Sequence, residues 1–137
     1  MKKYLFFLLP AIALAMLTTL DSCEKDEGKL PNIGFLSGIA YMSGDKTVAK
    51  GQTVLFGIQA SKSEDKDILK TFNESVSFDG AAPITVQNIT LSGAEEDNYT
   101  VEVPITVRNQ AGTEQYTFTV TNRDGLTNSV SVTLTVQ

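Results

Sequence analysis

The residues of this chain that could carry out chemistry are its carboxylates and a single thiol. The 137 residues include no histidine, no tryptophan and one cysteine, Cys23. General acid–base catalysis near neutral pH usually relies on histidine, and zinc, copper and iron sites are built mainly from histidine and cysteine. The sequence therefore argues against an enzyme and against a transition-metal site, and it predicts no cofactor.

The carboxylates are concentrated in two clusters, residues 64–67 and 95–97. A carboxylate-dependent hydrolase needs two acidic groups facing each other across a cleft, and neighbours in one loop of a small domain do not provide one. We therefore interpret both clusters as solvated loop tips. Calcium accepts loop oxygens as ligands, and Asp97, Asn98 and Asp124 are the candidate ligands. The twelve-residue calcium-loop pattern is missing, however, so the sequence favours no bound metal.

The thiol of Cys23 marks a sharp change in composition. Two lysines and an uncharged run over residues 4–20 precede it, and charged residues follow it at once. A basic start, an apolar core and a small residue before the cleavage point are typical of a secretory signal peptide. A retained transmembrane helix is the alternative, but it needs about 20 apolar residues, and this shorter run contains Pro10. We therefore predict a signal peptide over residues 1–22.

The residues Leu20, Asp21 and Ser22 before Cys23 resemble the lipobox of bacterial lipoproteins. The resemblance implies that the cysteine thiol is diacylated and that, after cleavage, its amine is acylated as well. Asp21 departs from the small or apolar residue that the lipobox usually has at this position. A cysteine that follows a signal-peptidase site by chance is the alternative, and it is disfavoured because the chain has no other cysteine.

The charged residues Lys25, Asp26 and Glu27 resemble the export signal that follows the acylated cysteine in Bacteroidetes-type lipoproteins. The resemblance implies export to the outer face of the outer membrane. The expected location is therefore the outer membrane, lipid-anchored, with the cell surface and the periplasmic face both left open. A solvated charged tether is the alternative explanation. Residues 23–36 also contain glycine, proline and asparagine among the charges, which is typical of a flexible linker.

Residues 37–137 alternate between apolar and polar positions and show almost no helical periodicity. An Asp-Gly turn joins residues 116–121 to residues 128–136, and both runs place apolar residues on one face and hydroxyl groups on the other. This pattern predicts a β-hairpin. Further strands are predicted at residues 53–61, 71–78, 83–91 and 98–107, with a first short strand at Tyr41 and Met42. About seven such strands predict an all-β, immunoglobulin-like antiparallel β-sandwich.

Three irregularities interrupt the alternation. Glu74 stands at a position where its strand otherwise points apolar residues inward. Ile84 and Val86 are predicted to point inward, and a phase slip at Asn88 then indicates a β-bulge, because one extra residue reverses the faces of a strand. Pro104 has no N–H to donate to a neighbouring strand, which predicts an edge strand or a local break.

Residues 50–54 and 112–125 resemble bacterial immunoglobulin-like domains of Bacteroidetes-type surface lipoproteins. The resemblance implies one β-sandwich domain over residues 37–137. The disulfide and tryptophan of true immunoglobulin domains are missing, so it concerns the architecture alone. Tyr116 is either a tyrosine corner, which fixes a loop through its hydroxyl group, or an ordinary core residue.

These observations favour a lipid-anchored binding or adhesion module that contacts a protein through its loops or an edge strand. A structural accessory subunit of a larger envelope complex is the alternative. Nucleic acid is disfavoured because the net charge of −5 repels phosphates. A glycan is less favoured than a protein because the chain has no tryptophan, and a hydrolase is the least favoured function.

Overall fold

The computed structural model describes residues 28–137. The predicted signal peptide and two predicted motifs lie outside the described residues: Leu20, Asp21, Ser22 and Cys23 of the lipobox, and Lys25, Asp26 and Glu27 of the export signal. Within the described part, the strands are β1 (Asn32–Phe35), β2 (Lys46–Val48), β3 (Thr53–Ser61), β4 (Leu69–Phe78), β5 (Ile84–Thr90), β6 (Asn98–Thr106), β7 (Gly112–Asn122) and β8 (Thr127–Val136). A short 3-10 helix, Gly93–Glu96, precedes β6.

The strands form two sheets that enclose one apolar core. The smaller sheet has the order β1-β3-β6, and the larger sheet has the order β2-β8-β7-β4-β5. All neighbouring strands are antiparallel except β2, which runs parallel to β8. The chain is therefore an all-β, immunoglobulin-like sandwich, as the alternating sequence predicts.

Aromatic side chains from both sheets meet in the middle of the core. Phe118 on β7 is fully buried, and its ring centroid lies 5.6 Å from that of Phe56 on β3 and 6.2 Å from that of Phe72 on β4. Burial of one such side chain contributes roughly 1.5–3 kcal/mol. Because the domain has no cysteine after Cys23, this apolar core stabilises the sandwich without an internal disulfide.

The predicted β-hairpin is confirmed, and one predicted strand is not. β7 and β8 pair from Thr121 and Thr127 onwards, across the Asp-Gly turn. Tyr41 and Met42, by contrast, lie in a loop, although the N–H of Met42 donates to the carbonyl oxygen of Leu55 on β3 and its side chain packs against the core. The loop packs over Gly57, where a Cβ atom would lie only 2.9 Å from side-chain atoms of Leu36 and Tyr41. Glycine at this position thus provides the space that the loop occupies.

The N-terminal segment of the domain is ordered earlier than the sequence predicts. The prediction places a flexible linker up to residue 36, whereas Asn32–Phe35 form β1 and pair with β3. The reason is that Ile33 and Phe35 pack against the core. The ring of Phe35 also makes an edge-on contact with Phe118 at 6.1 Å. Within residues 28–137, no helix is long and apolar enough to cross a bilayer.

Candidate functional site

The edges of the two sheets differ in how far they could pair with another chain. β1 and β2 have only four and three residues. β6 contains Pro104, which confirms the predicted edge position. β5 has seven residues and contains neither a proline nor a charge. Natural proteins usually protect an edge strand by shortness, proline, charge or a β-bulge. Of these devices β5 has only a bulge, where its register with β4 shifts.

The sequence predicts that Ile84 and Val86 on β5 point into the core, but both side chains are largely exposed. Ile84 is 56% exposed and Val86 is 54% exposed. The register changes from Glu74 opposite Gln87 to Ser75 opposite Thr85, so Val86 is the extra residue of a β-bulge. The sequence correctly predicts a bulge in this strand, but it places the bulge at Asn88. Ile84 is exposed although it lies opposite the buried Val76, because no strand flanks β5 on its outer side.

A groove of about 600 Å³ opens between the edges of β5 and β6. Its floor includes Val76 on β4 and Gln87 on β5, and its opposite wall includes Val101 and Val103 on β6. Val101 points towards the core but is only partly buried. The two sheets are therefore not closed against each other along this side of the sandwich, and the volume is in the range of ligand sites.

Glu74 places a buried carboxyl group in this groove. The residue is only 3% exposed, and Gln87 Nε2 donates a hydrogen bond to its Oε2 atom over 2.7 Å. Within the described part of the chain, no donor reaches its Oε1 atom, but this oxygen is not among the buried unpartnered atoms there and so is open to solvent in the groove. Burial raises the pKa of Glu74, and the hydrogen bond from Gln87 opposes that rise.

The other buried carboxyl groups have more donors than Glu74. Arg108 donates its backbone N–H and its Nε–H to Glu114 Oε1, each over 2.9 Å. Asp67 accepts hydrogen bonds at both oxygens, from the backbone N–H of Ile68 at 2.8 Å and from Asn122 Nδ2 at 2.6 Å. Buried polar groups are normally satisfied in this way. Glu74 therefore has fewer hydrogen-bond donors than the other two buried carboxylate residues of the described part, Asp67 and Glu114.

Tyr116 is a core residue, the second of the two interpretations left open by the sequence. It is 5% exposed and donates its hydroxyl group to Glu114 Oε2 over 2.6 Å. A tyrosine corner would instead bond to the backbone of a nearby loop. Burial and the Glu114 carboxylate raise the pKa of Tyr116, so the phenol stays protonated and keeps donating.

The acidic loops hold ion pairs. Lys62 Nζ lies 2.6 Å from Asp97 Oδ1, and Lys70 Nζ lies 2.7 Å from Glu96 Oε1. Of the candidate calcium ligands, Asp97 thus faces a lysine, Asn98 begins β6, and Asp124 lies in the β7–β8 turn 3.7 Å from Arg123. Across residues 28–137, no group of three or more Asp, Glu, His or Cys side chains could hold a metal ion.

The sequence gives a partial signal for the groove. Glu74 is recognisable as a charged residue at an inward position, and Pro104 is recognisable as an edge residue. Gln87 and the exposure of Val86 are missed, because both depend on the exact position of the bulge. A one-residue error in a strand exchanges its two faces.

No known protein family matches the chain, and no curated protein sequence matches it. Among solved structures, a superoxide reductase (neelaredoxin) from Ignicoccus hospitalis has 12% identity and a TM-score of 0.48, with 80% of this chain and 81% of that chain covered. A CARDB domain from Pyrococcus furiosus has 13% identity and a TM-score of 0.46, with 78% and 90% covered. Murine CRIg has 9% identity and a TM-score of 0.44, with 80% and 99% covered. At these values the likeness is limited to the architecture.

Proposed function

We propose that this protein is a lipid-anchored, non-catalytic binding or adhesion module of the bacterial cell envelope that contacts a protein partner through β5. The observation that carries the proposal is an uncharged, proline-free edge of seven residues with Ile84 and Val86 more than half exposed. Such an edge offers free N–H and C=O groups and apolar side chains to an incoming strand. Only another polypeptide can supply that strand, which favours a protein over a glycan or nucleic acid.

The composition around β5 supports the same conclusion. Residues 81–92 contain no charged side chain, although 20% of the whole chain is charged. An exposed apolar strand without charges is an aggregation hazard unless a partner covers it. Among the described edges, β1 and β2 are short and β6 contains proline, whereas β5 has a bulge but neither shortness, proline nor charge, as expected for a binding edge.

The proposed anchor at Cys23 would hold the domain in a defined orientation. Asn122 Nδ2 donates to the carbonyl oxygen of Lys29 over 3.1 Å, which fastens the domain six residues after Cys23. Six residues span at most about 20 Å. The end of the sandwich that carries the β7–β8 turn would therefore face the membrane. β5 begins at the opposite end, with Ile84, and would be directed towards a partner outside.

Site-specific crosslinking in native cells tests the partner contact. A photo-crosslinking amino acid at position 86 of the full chain should give a discrete crosslinked protein product. Gln59, an exposed residue on the central strand β3, provides the matched control and should give none. Equal products from both positions, or none from position 86, would contradict the proposal. A stoichiometric complex that survives detergent extraction would support the accessory-subunit alternative.

Mass spectrometry and fractionation test the anchor. Wild-type protein from native cells should begin at Cys23, carry an acyl mass on that residue and sediment with the outer membrane. Cys23→Ser should remove the acyl mass and release the protein from the membrane fraction. Wild-type protein that retains residues 1–22 or lacks an acyl group would contradict the lipid anchor.

A further inference from the structure

The groove beside β5 is lined by acidic side chains, and the backbone pairing of an added strand would not neutralise them. Glu74 is 3% exposed and has one hydrogen-bond donor, Gln87, within the described residues. The lining of the groove also includes Glu102 and contains no lysine or arginine. A buried carboxylate with few donors is costly to maintain. A cation bound in the groove would displace solvent from the Oε1 atom of Glu74 and provide a counter-charge.

We propose that the groove binds an extended segment of a partner protein that presents a lysine or arginine to Glu74 while its backbone pairs with β5. This inference rests on the proposed function and specifies the chemistry of the partner. The aliphatic part of the basic side chain would pack on Val86, Val101 and Val103, which line the groove. A charge-assisted hydrogen bond to Glu74, shielded from water, is stronger than the same contact on an open surface.

A second copy of this chain is a poorer occupant. Pairing of two β5 strands would bring residues 81–92 of each copy to the groove of the other, and these residues carry no charge. Glu74 would then remain without a counter-charge. The net charge of −5 on each copy would also oppose association. A basic segment of a different protein would supply the counter-charge to Glu74 and would be attracted by the negative net charge.

The test measures binding of two synthetic peptides to the full chain in detergent micelles. Both peptides are acetylated and amidated hexapeptides of alternating valine and threonine. One carries a central lysine, and the other carries norleucine, which keeps an aliphatic stem but lacks the ammonium group. Backbone amide shifts during titration give the Kd and the site. The lysine peptide should bind about ten-fold or more tightly, with the shifts centred on β5 and Val101.

Two variants separate the role of Glu74 from the general acidity of the protein. Glu74→Gln keeps the size of the side chain but removes its charge, and it should bring the affinities for the two peptides to about the same value. Asp65→Asn is the matched control, because this exposed carboxylate lies between β3 and β4, outside the groove lining. That variant should keep the preference for lysine. Unfolding curves show that each variant is folded.

Equal affinities of the wild type for the two peptides would overturn this inference and leave strand addition at β5 intact. Absence of binding by both peptides, or a lysine preference that survives in Glu74→Gln, would also overturn it. A concentration-dependent dimer that Val86→Lys abolishes would assign the groove to a second copy instead. The proposed function fails by a different result, namely the absence of a crosslinked product from position 86.

Discussion

Arg108 donates two hydrogen bonds to the same oxygen of Glu114, one from its backbone N–H and one from its Nε atom, each over 2.9 Å. Tyr116 donates to the second oxygen over 2.6 Å. Glu114 is fully buried, and its carboxylate therefore joins the end of β6 to β7. Glu114 thus accepts three hydrogen bonds, whereas Glu74 accepts one within the described residues.

Glu114→Ala should lower the free energy of unfolding by about 3 kcal/mol, because it leaves the buried Tyr116 hydroxyl and the backbone N–H of Arg108 without an acceptor, and each such group costs roughly 1–3 kcal/mol. Urea denaturation provides the measurement. Glu102→Ala is the control, since this residue is exposed and, among residues 28–137, its side chain bonds only to Tyr41. The control should change stability by less than about 1 kcal/mol. Equal effects of the two substitutions would contradict a structural role for Glu114.

Glu74→Gln should raise the free energy of unfolding at pH 7 by about 1 kcal/mol, because an uncharged amide is cheaper to bury than a carboxylate. Burial raises the pKa of Glu74 above its ordinary value of 4.5, so the folded state binds the proton more tightly than the unfolded state. Protonated Glu74 therefore stabilises the folded wild type below pH 4.5, and this stabilisation is lost as the pH rises through the pKa that Glu74 has in the folded state. The difference between variant and wild type should therefore grow from pH 4 to pH 7. A difference that shrinks over this range would contradict the burial of the charge.

The alternation of the sequence predicts the sandwich well, because each inward position of the long strands contributes to one core. Phe118 and Val120, for example, are both fully buried as expected. The prediction fails where alternation does not determine the structure. Ile33 and Phe35 look like part of a linker because their strand has only four residues, and Tyr41 looks like part of a strand although it packs over Gly57.

The candidate site is less predictable than the fold, for a physical reason. Its properties depend on which residue is extra in β5. The apolar pattern favours Asn88, whereas in the structure the extra residue is Val86 and the polar Gln87 takes an inward position. The choice is made by pairing with β4, where Glu74 lies opposite Gln87 and Ser75 lies opposite Thr85. Such long-range register is not encoded in the strand itself.

Gly112→Ala should lower the free energy of unfolding by about 2 kcal/mol or more, because the site excludes a side chain in two ways. Gly112 has a φ angle of +151°, and an added Cβ atom would lie 2.2 Å from Asp79 Oδ1. That oxygen accepts the backbone N–H of Thr113 over 2.8 Å. Gly44→Ala is the matched control, since an added Cβ atom there has open space. Thermal unfolding should show a large loss for the first variant and almost none for the second.

Asn122→Ala should loosen the N-terminal segment of the domain. The Asn122 side chain donates to the carbonyl oxygen of Lys29 at 3.1 Å and to Asp67 at 2.6 Å, and it accepts the N–H of Leu126 at 2.8 Å. Loss of these contacts should lower the free energy of unfolding by about 3 kcal/mol, since each buried unsatisfied group costs roughly 1–3 kcal/mol. Hydrogen exchange of the amides in β1 should accelerate as well.

Asn128→Ala provides the comparison for this last prediction. Asn128 Nδ2 donates only to the carbonyl oxygen of Pro31, over 2.9 Å, and its Oδ1 accepts the backbone N–H of the next residue. Its removal should cost about 1 kcal/mol. If exchange in β1 accelerates equally in both variants, or in neither, Asn122 is not the residue that fastens this segment. The orientation proposed for the domain at the membrane would then lose its support, because the tether from Cys23 would be effectively longer.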